Sequence, residues 1–448
     1  MWLAPARATE QEKTTSATPP EAQAQADDLK SALEKAKAAA QKQRAEAEAR
    51  ASEEAAKKAE EAAKKAEADR NAKAAAEALV RSAALKRIEW LGLSMLRTGF
   101  TEEQVTRTLT SGGTVAAWGS KKDANGHETG QTKVPAGLSN VVAIATGGHH
   151  TVALRQDGTV VAWGAGTTAS GQLSHYGQSI VPDGLSGVVA IAASGAHTVA
   201  LRRDGTVVAW GDNYYGQTIV PTNLSGVVAI AAGGYHTVAL RQDGTVVAWG
   251  RTNEGQTIAP AGLTGVVAIA AGGSHTVALR QDGTVVAWGR TNEGQTIAPA
   301  GLTGVVAVAA GGSHTVALRQ DGTVVAWGKN DDSQTTVPAD LSGVVAIAAG
   351  YAHTVALKPD GTLVAWGRND NGQTNVPEGL SGVAAIAAGG GVDGSHTVAL
   401  KSNGTVVAWG RNNDNEGKHT GQSTVPAGLS GVVAIAAGGH HTVVLKLD

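Results

Sequence analysis

Short runs of small and β-branched residues, separated by glycine pairs and polar turns, recur through the last three quarters of the chain. The clearest copy, Gly226 to Gly250, reads GVVAIAAGGYHTVALRQDGTVVAWG. Val-Val-Ala-Ile-Ala and His-Thr-Val-Ala-Leu are too short for helices and rich in residues that suit a pleated surface, so they predict strands a and b. Asp243-Gly244 tolerates positive φ and reads as a hairpin turn into strand c, Thr-Val-Val-Ala-Trp-Gly. Gln-Thr-x-Val-Pro is expected to add a short fourth strand, ended by its proline.

The phrase returns with a period of 39 residues in its regular copies. Its tryptophan recurs as Trp118, Trp163, Trp210, Trp249, Trp288, Trp327, Trp366 and Trp409. Its histidine recurs as His150, His197, His236, His275, His314, His353, His396 and His441. A repeat of about 40 residues with several short strands marks a propeller blade. The first copy begins in strand c, at Gly113, and the last ends in strand b, at Leu445, so the two half-blades complement each other and remove an exposed edge. The expectation is an all-β propeller of eight four-stranded blades over 109–448, closed by its N- and C-terminal half-blades. A seven-bladed ring with one copy outside it is the alternative.

The strings GxHTVALxxDGTVxAWGxNxxGQ resemble the regulator of chromosome condensation repeat family over roughly residues 109 to 448. VPAGLSGVVAIAAGG between units is most similar to the bacterial short-blade branch, which includes a propeller that inhibits β-lactamase. The resemblance implies a protein-binding platform; some members are guanine nucleotide exchange factors for a small GTPase and others inhibit enzymes. Relatives have seven blades, from which eight tryptophans and eight histidines depart. No insertion supplies the wedge of the exchange factors. The position before the repeat histidine, which contacts the partner in the inhibitory relative, holds His149, Ala196, Tyr235, Ser274, Ser313, Ala352, Ser395 and His440. That set is poor in aromatic residues, so β-lactamase inhibition does not carry over.

Departures from the repeat point to a site. The histidine-to-tryptophan spacing is always 13, but tryptophan to the next linker glutamine is 7 in five copies, 13 after Trp118, 15 after Trp163 and 13 after Trp409. Glutamine to histidine is 19 except from Gln373 to His396, where it is 23. Every insertion falls in an a–b or c–d connection, hence on one face, and in neighbouring blades: eight, one and two, with the split blade counted first. The five tyrosines, Tyr176, Tyr214, Tyr215, Tyr235 and Tyr351, lie in or beside the same two kinds of connection. Tyrosine is enriched at protein interfaces. The non-repeat histidines His127, His149, His175, His419 and His440 share that face. These ten residues form the predicted partner-binding set.

Other chemistry is thinly supported. The repeat histidines are expected to bond backbone at a strand end, and the repeat tryptophans to pack between blades. Asp123, Glu128, Asp414 and Glu416 could add oxygen ligands to the loop histidines, but no HxH or HExxH spacing occurs. No metal or cofactor is assigned. Nothing resembles a nucleophile elbow or a P-loop, and the chain reads as non-enzymatic.

The first quarter differs. Residues 1–20 read as a disordered start. Residues 21–91 contain neither glycine nor proline and are rich in Ala, Glu and Lys, with Glu53 and Glu54 four residues before Lys57 and Lys58, which predicts a long helical stalk. Alanine at most seam positions leaves a solitary spacer and weak self-association both open. Residues 92–108 form a connector in which Thr101 and Gln104 fit a capping box. Its apolar run is too short to span a bilayer. The stalk is expected to enter on the face opposite the insertions.

A formal charge of −2 argues against an electrostatic nucleic-acid partner, and the absence of cysteine excludes thiol chemistry. The first residues lack the apolar core of a secretory signal. A truncated start would point to the bacterial envelope or secretion, an intact one to the cytoplasm. The expected function is protein binding or display from one propeller face. An exchange factor or inhibitor acting on an enzyme partner, and a carbohydrate-binding propeller, are the alternatives.

Overall fold

The computed structural model describes residues 57, 58, 60, 112–122, 127–167, 175–391, 395–413 and 420–447. Two compact units divide the chain, Met1–Leu79 and Val80–Asp448. In the first, Lys57, Lys58 and Glu60 are helical. The rest of the predicted start, stalk and connector lies outside the described residues. Among the described residues no helix is long and apolar enough to cross a membrane.

The second unit carries, in its described part, twenty-four strands from β1 (Thr114–Gly119) to β24 (His441–Lys446). They form eight antiparallel sheets of three strands each. In the copy read above, β8 (Val227–Ala232) pairs with β9 (His236–Arg241), which pairs with β10 (Val246–Gly250). The turn between β9 and β10 holds Gly244 at φ +76°, and Asp243 Oδ1 accepts bonds from the Thr245 amide and hydroxyl. In seven of the eight first strands a register shift follows the opening valine, as between Val227 and Ala229. This bulge breaks the alternation, so Val227, Ala229 and Ile230 are buried and Val228 is exposed. The first and last described strands share a sheet: β1 pairs with β24, which pairs with β23 (Val432–Ala437).

The first strands of neighbouring sheets approach one another, so they are the inner strands. Each repeat tryptophan packs backward onto the preceding sheet. Trp249 meets Val199, Leu201 and Val207 of one sheet together with Val227, Ile230 and Ala239 of its own. Beside alanine, valine, isoleucine and leucine, this ring is the largest apolar side chain available between sheets.

The predicted fourth strand is not a strand. Gln217 to Pro221 is a chain of turns, with the Ile219 amide bonded to the Gly216 carbonyl and the Val220 amide to that of Thr218. The carbonyl that would join a ladder is taken by side chains of the following sheet. Gln131 O accepts from Trp163 Nε1 (3.0 Å) and Thr151 Oγ1 (3.1 Å), and Gln178 O accepts from Trp210 Nε1 and Thr198 Oγ1. The segment after strand c therefore crosses to the next sheet and packs on that sheet's outer end. Blades are three-stranded, each clasped by the linker that precedes it.

The repeat histidines also differ from expectation, because they bond a side chain of the next sheet rather than backbone. His150 Nε2 meets Thr198 Oγ1 at 2.9 Å, and the pattern continues through His197–Thr237, His236–Thr276, His275–Thr315, His314–Thr354, His353–Thr397 and His396–Thr442 to His441–Thr151. Each threonine hydroxyl spends its single proton on a glutamine carbonyl, as Thr276 does on Gln256 O at 2.9 Å, so it can only accept from the ring. Nε2 thus carries the proton. Nδ1 is bare, and in all eight rings it is buried without a hydrogen-bond partner. Gly233 is required above His236 because a Cβ there would overlap the imidazole.

Candidate functional site

In every sheet, strand b starts where strand a ends and strand c finishes. His236 is opposite Gly250, and Thr237 is opposite Ala232. The a–b connections and the linkers after strand c consequently leave from the same end of the sheets. The glutamine side chain of each linker caps its own turn: Gln178 Oε1 accepts from the Tyr176 amide, Gln217 Oε1 from Tyr215 and Gln256 Oε1 from Glu254. Since that glutamine sits on the following sheet, the residue two positions before it is carried there too. In the sheet β8–β10 it meets the residue before the next histidine and the residue after the next Trp-Gly.

For the sheet β8–β10 these three positions are Tyr215, Tyr235 and Arg251, contributed by a linker, an a–b connection and the end of strand c. Tyr215 packs edge-to-face on Tyr235 (5.4 Å between centroids) and on Tyr214 (4.8 Å). The Arg251 guanidinium carbon lies 5.1 Å from the Tyr215 ring centre and 5.7 Å from that of Tyr235. Tyr214 is 83% exposed and Tyr235 43%. In the next three sheets the same positions hold Glu254, Ser274 and Arg290, then Glu293, Ser313 and Lys329, then Asp332, Ala352 and Arg368. In the second and third of these the cation is paired. Asp331 bonds Lys329 at 3.3 Å and raises its pKa, with Glu293 and Asp332 adding to the shift, and Asp370 does the same for Arg368 at 2.6 Å.

The remaining sequence-predicted residues fall into smaller groups. His149 and His440 stack at 5.0 Å with 11° between their planes, where the last sheet meets the first whole one. His175 Nδ1 accepts from the Gly166 amide, which ties the long linker after Trp163 to itself. Tyr176 is 38% exposed one residue on, at the position equivalent to Tyr215. Tyr351 stands where other copies have the second glycine of the pair, and its ring lies against Gly312. His127 is exposed beside Glu128. His419, Asp123, Asp414 and Glu416 lie outside the described residues. Three of the five tyrosines are thus brought together, and two of the histidines. Arg251 was missed from the sequence because five copies carry a cation after Trp-Gly, which reads as repeat background; only the two rings distinguish it.

Among the described residues, no group of three or more His, Cys, Asp or Glu could hold a metal ion. All eight repeat histidines are held neutral by burial, with neighbouring imidazoles adding to the effect in most of them. The pKa falls to about 3 at His150, His236, His314, His353 and His396, to about 4 at His197 and His275, and well below the usual value at His441.

Comparison with solved structures gives Prp20p of Saccharomyces cerevisiae, with a TM-score of 0.50 and 21% identity, covering 77% of this chain and 94% of that one. Yeast RCC1 (Prp20) bound to Kap60 gives 0.48 at 22% identity, over 76% and 90% of the two chains. Human WBSCR16 gives 0.46 at 18% identity, over 75% and 98%. No curated protein sequence matches the chain. The family model described as "Regulator of chromosome condensation (RCC1) repeat" matches residues 141–172, 188–217, 227–256, 266–295, 305–334, 344–373 and 383–416, which are the seven uninterrupted sheets with their following linkers. With its three-stranded sheets, its repeat tryptophans and histidines and these matches, the chain belongs to the regulator of chromosome condensation (RCC1) repeat family and is a β-propeller.

Proposed function

We propose that the chain is a non-enzymatic protein-binding module. It engages its partner through the face formed by the a–b connections and linkers, centred on Tyr214, Tyr215 and Tyr235. One observation carries this reading. Of the three positions that hold an acid, a small residue and a cation in the next three sheets, two are filled here by tyrosine rings around Arg251, and the adjoining Tyr214 is 83% exposed. Exposed tyrosines over a rigid sheet end give large contact area at small entropic cost. Tyr176, Tyr351, His127, His149, His175 and His440 occupy the same face and extend it. The similar Prp20p binds Gsp1p and histones. Regulation of an enzyme partner, as an exchange factor or inhibitor, is the more specific form of this reading.

The propeller presenting this face is read as an eight-bladed ring closed by its N- and C-terminal half-blades. Support comes from β1 sharing a sheet with β23 and β24, from the His441–Thr151 bond and from the Gly439 amide on the Gly147 carbonyl. The test is comparative capture. Full-length protein and a variant with Tyr214, Tyr215 and Tyr235 changed to Ala are used to isolate partners from the same extract. Proteins retained by the first and lost by the second support the reading; an identical set from both refutes the face.

A further inference from the structure

We infer that Arg251 is a carboxylate anchor: a protein segment bound on this face places an acidic group on its guanidinium and apolar side chains on Tyr214 and Ile219. The inference rests on the proposed binding face and names the chemistry that face recognises.

Three observations lead to it. First, the guanidinium is already placed. Two tyrosine rings from separate connections flank it at 5.1 and 5.7 Å, so little side-chain freedom remains to be lost when an anion arrives. Second, it is unspent. Nε is buried without a hydrogen-bond partner, and among the described residues no carboxylate stands within ion-pairing distance. The equivalent cations Lys329 and Arg368 are each taken by an aspartate two residues on, whereas the residue two after Arg251 is Asn253. Arg290 shares the buried, unpartnered Nε but has Glu254 and Ser274 in the places of the two rings. Third, the linker that carries Tyr215 also presents exposed apolar side chains. Tyr214 is 83% exposed and Ile219, in the same linker, is 65% exposed. A bidentate carboxylate in such a setting is partly desolvated, which is where a charge-assisted bond is strong.

The alternative anion is the phosphate of a nucleic acid. Phosphodiester binding draws on several cations acting together. Here one arginine stands with Asp212 after the preceding sheet and Glu254 in the next linker, on a chain of formal charge −2. A single carboxylate among apolar side chains fits that field, and a polyanion does not.

A random peptide-display library is selected against the full chain. The strongest peptide and its Asp/Glu→Asn/Gln counterpart are then titrated by fluorescence anisotropy against the wild type, Arg251→Gln, Arg251→Lys and Tyr214→Ala, all first shown to melt alike. A labelled 20-nucleotide single strand is the control probe. The expected peptide carries an acidic residue next to apolar ones. Arg251→Gln and the amide peptide should each weaken binding by about 10- to 100-fold, and the two losses should not add, because they remove the same bond. Arg251→Lys should retain part of the affinity. If Tyr214→Ala abolishes binding while Arg251→Gln does not, the face stands and the anchor is overturned. If neither variant matters, both are overturned. Binding of the oligonucleotide that Arg251→Gln abolishes, with no acidic peptide selected, overturns the protein-carboxylate assignment in favour of phosphate.

Discussion

Acidification should unfold this propeller well above the pH at which carboxylates titrate. Eight imidazoles are fully buried, donate through Nε2 to a threonine of the next sheet and have Nδ1 with no partner. A proton added to Nδ1 would put a charge in a dry site with nothing to accept it. The sign follows from linkage. The folded pKa is depressed from 6.5 to about 3 or 4, so between those values the unfolded chain holds protons that the native one does not. The stabilisation is complete above pH 6.5 and is lost as the pH falls. At pH 6 each histidine costs about 0.8 kcal/mol, and at pH 5 about 2 kcal/mol. Over eight sites that is about 7 and about 16 kcal/mol, against a typical folding free energy of roughly 5–15 kcal/mol. Urea titrations followed by tryptophan fluorescence at pH 7.5, 6.5, 6.0 and 5.5 measure the effect. Stability should drop steeply over the last two steps, with about seven protons taken up per molecule unfolded near pH 5.5. The turn aspartates, such as Asp243, have pKa values lowered by the Thr245 hydroxyl and amide, so their contribution is lost only below the ordinary carboxylate value and outside this window. A folding free energy that stays flat from pH 7.5 to 5.5, or an uptake of one or two protons, would refute the argument.

Three further substitutions probe the same construction. Thr276→Val leaves both His236 Nε2–H and the Gln256 carbonyl buried without their partner, and should cost about 3 kcal/mol in urea denaturation, with Thr276→Ser costing much less. Gly233→Ala forces a methyl group into the His236 ring and should lower stability by about 1–3 kcal/mol, seen as a fall in Tm. Ser333 holds φ +62° where other copies have glycine, so Ser333→Gly should raise stability by about 1 kcal/mol in the same denaturation assay.

Much of the fold could be read from the chain because each repeat is dictated locally. Strands a, b and c lie where β-branched runs, the Asp-Gly turn and the Gly pairs placed them, and the half-blades at the two ends do pair, β1 with β24. The fourth strand failed for a physical reason. Gln-Thr-x-Val-Pro has strand-like composition, but a ladder needs free carbonyls, and the Gln carbonyl is claimed by a Thr hydroxyl of the next sheet in every copy, joined by the Trp Nε1–H in four. Sequence periodicity reports what repeats, and cannot tell whether the repeating segment pairs with its own sheet or clasps its neighbour.

The same crossing explains what was and was not legible in the site. Local rules were enough to put Tyr214, Tyr215 and Tyr235 in connections at one end of the sheets, since strand direction alternates and the face follows from counting strands. Which of them touch depended on the linker carrying Tyr215 onto the sheet that bears Tyr235 and Arg251, 20 and 36 residues further along the chain. His149 and His440 illustrate the limit most sharply. Each stands immediately before a repeat histidine, 291 residues apart in sequence, and they stack because the last sheet packs on the first whole one. Sequence alone determined the repeating strands and their hairpins, because those rest on φ preferences and on contacts within a few residues. The tertiary structure alone decided the histidine–threonine bonds, the three-stranded blade and the aromatic cluster, because each joins groups that become neighbours only when one sheet packs on the next.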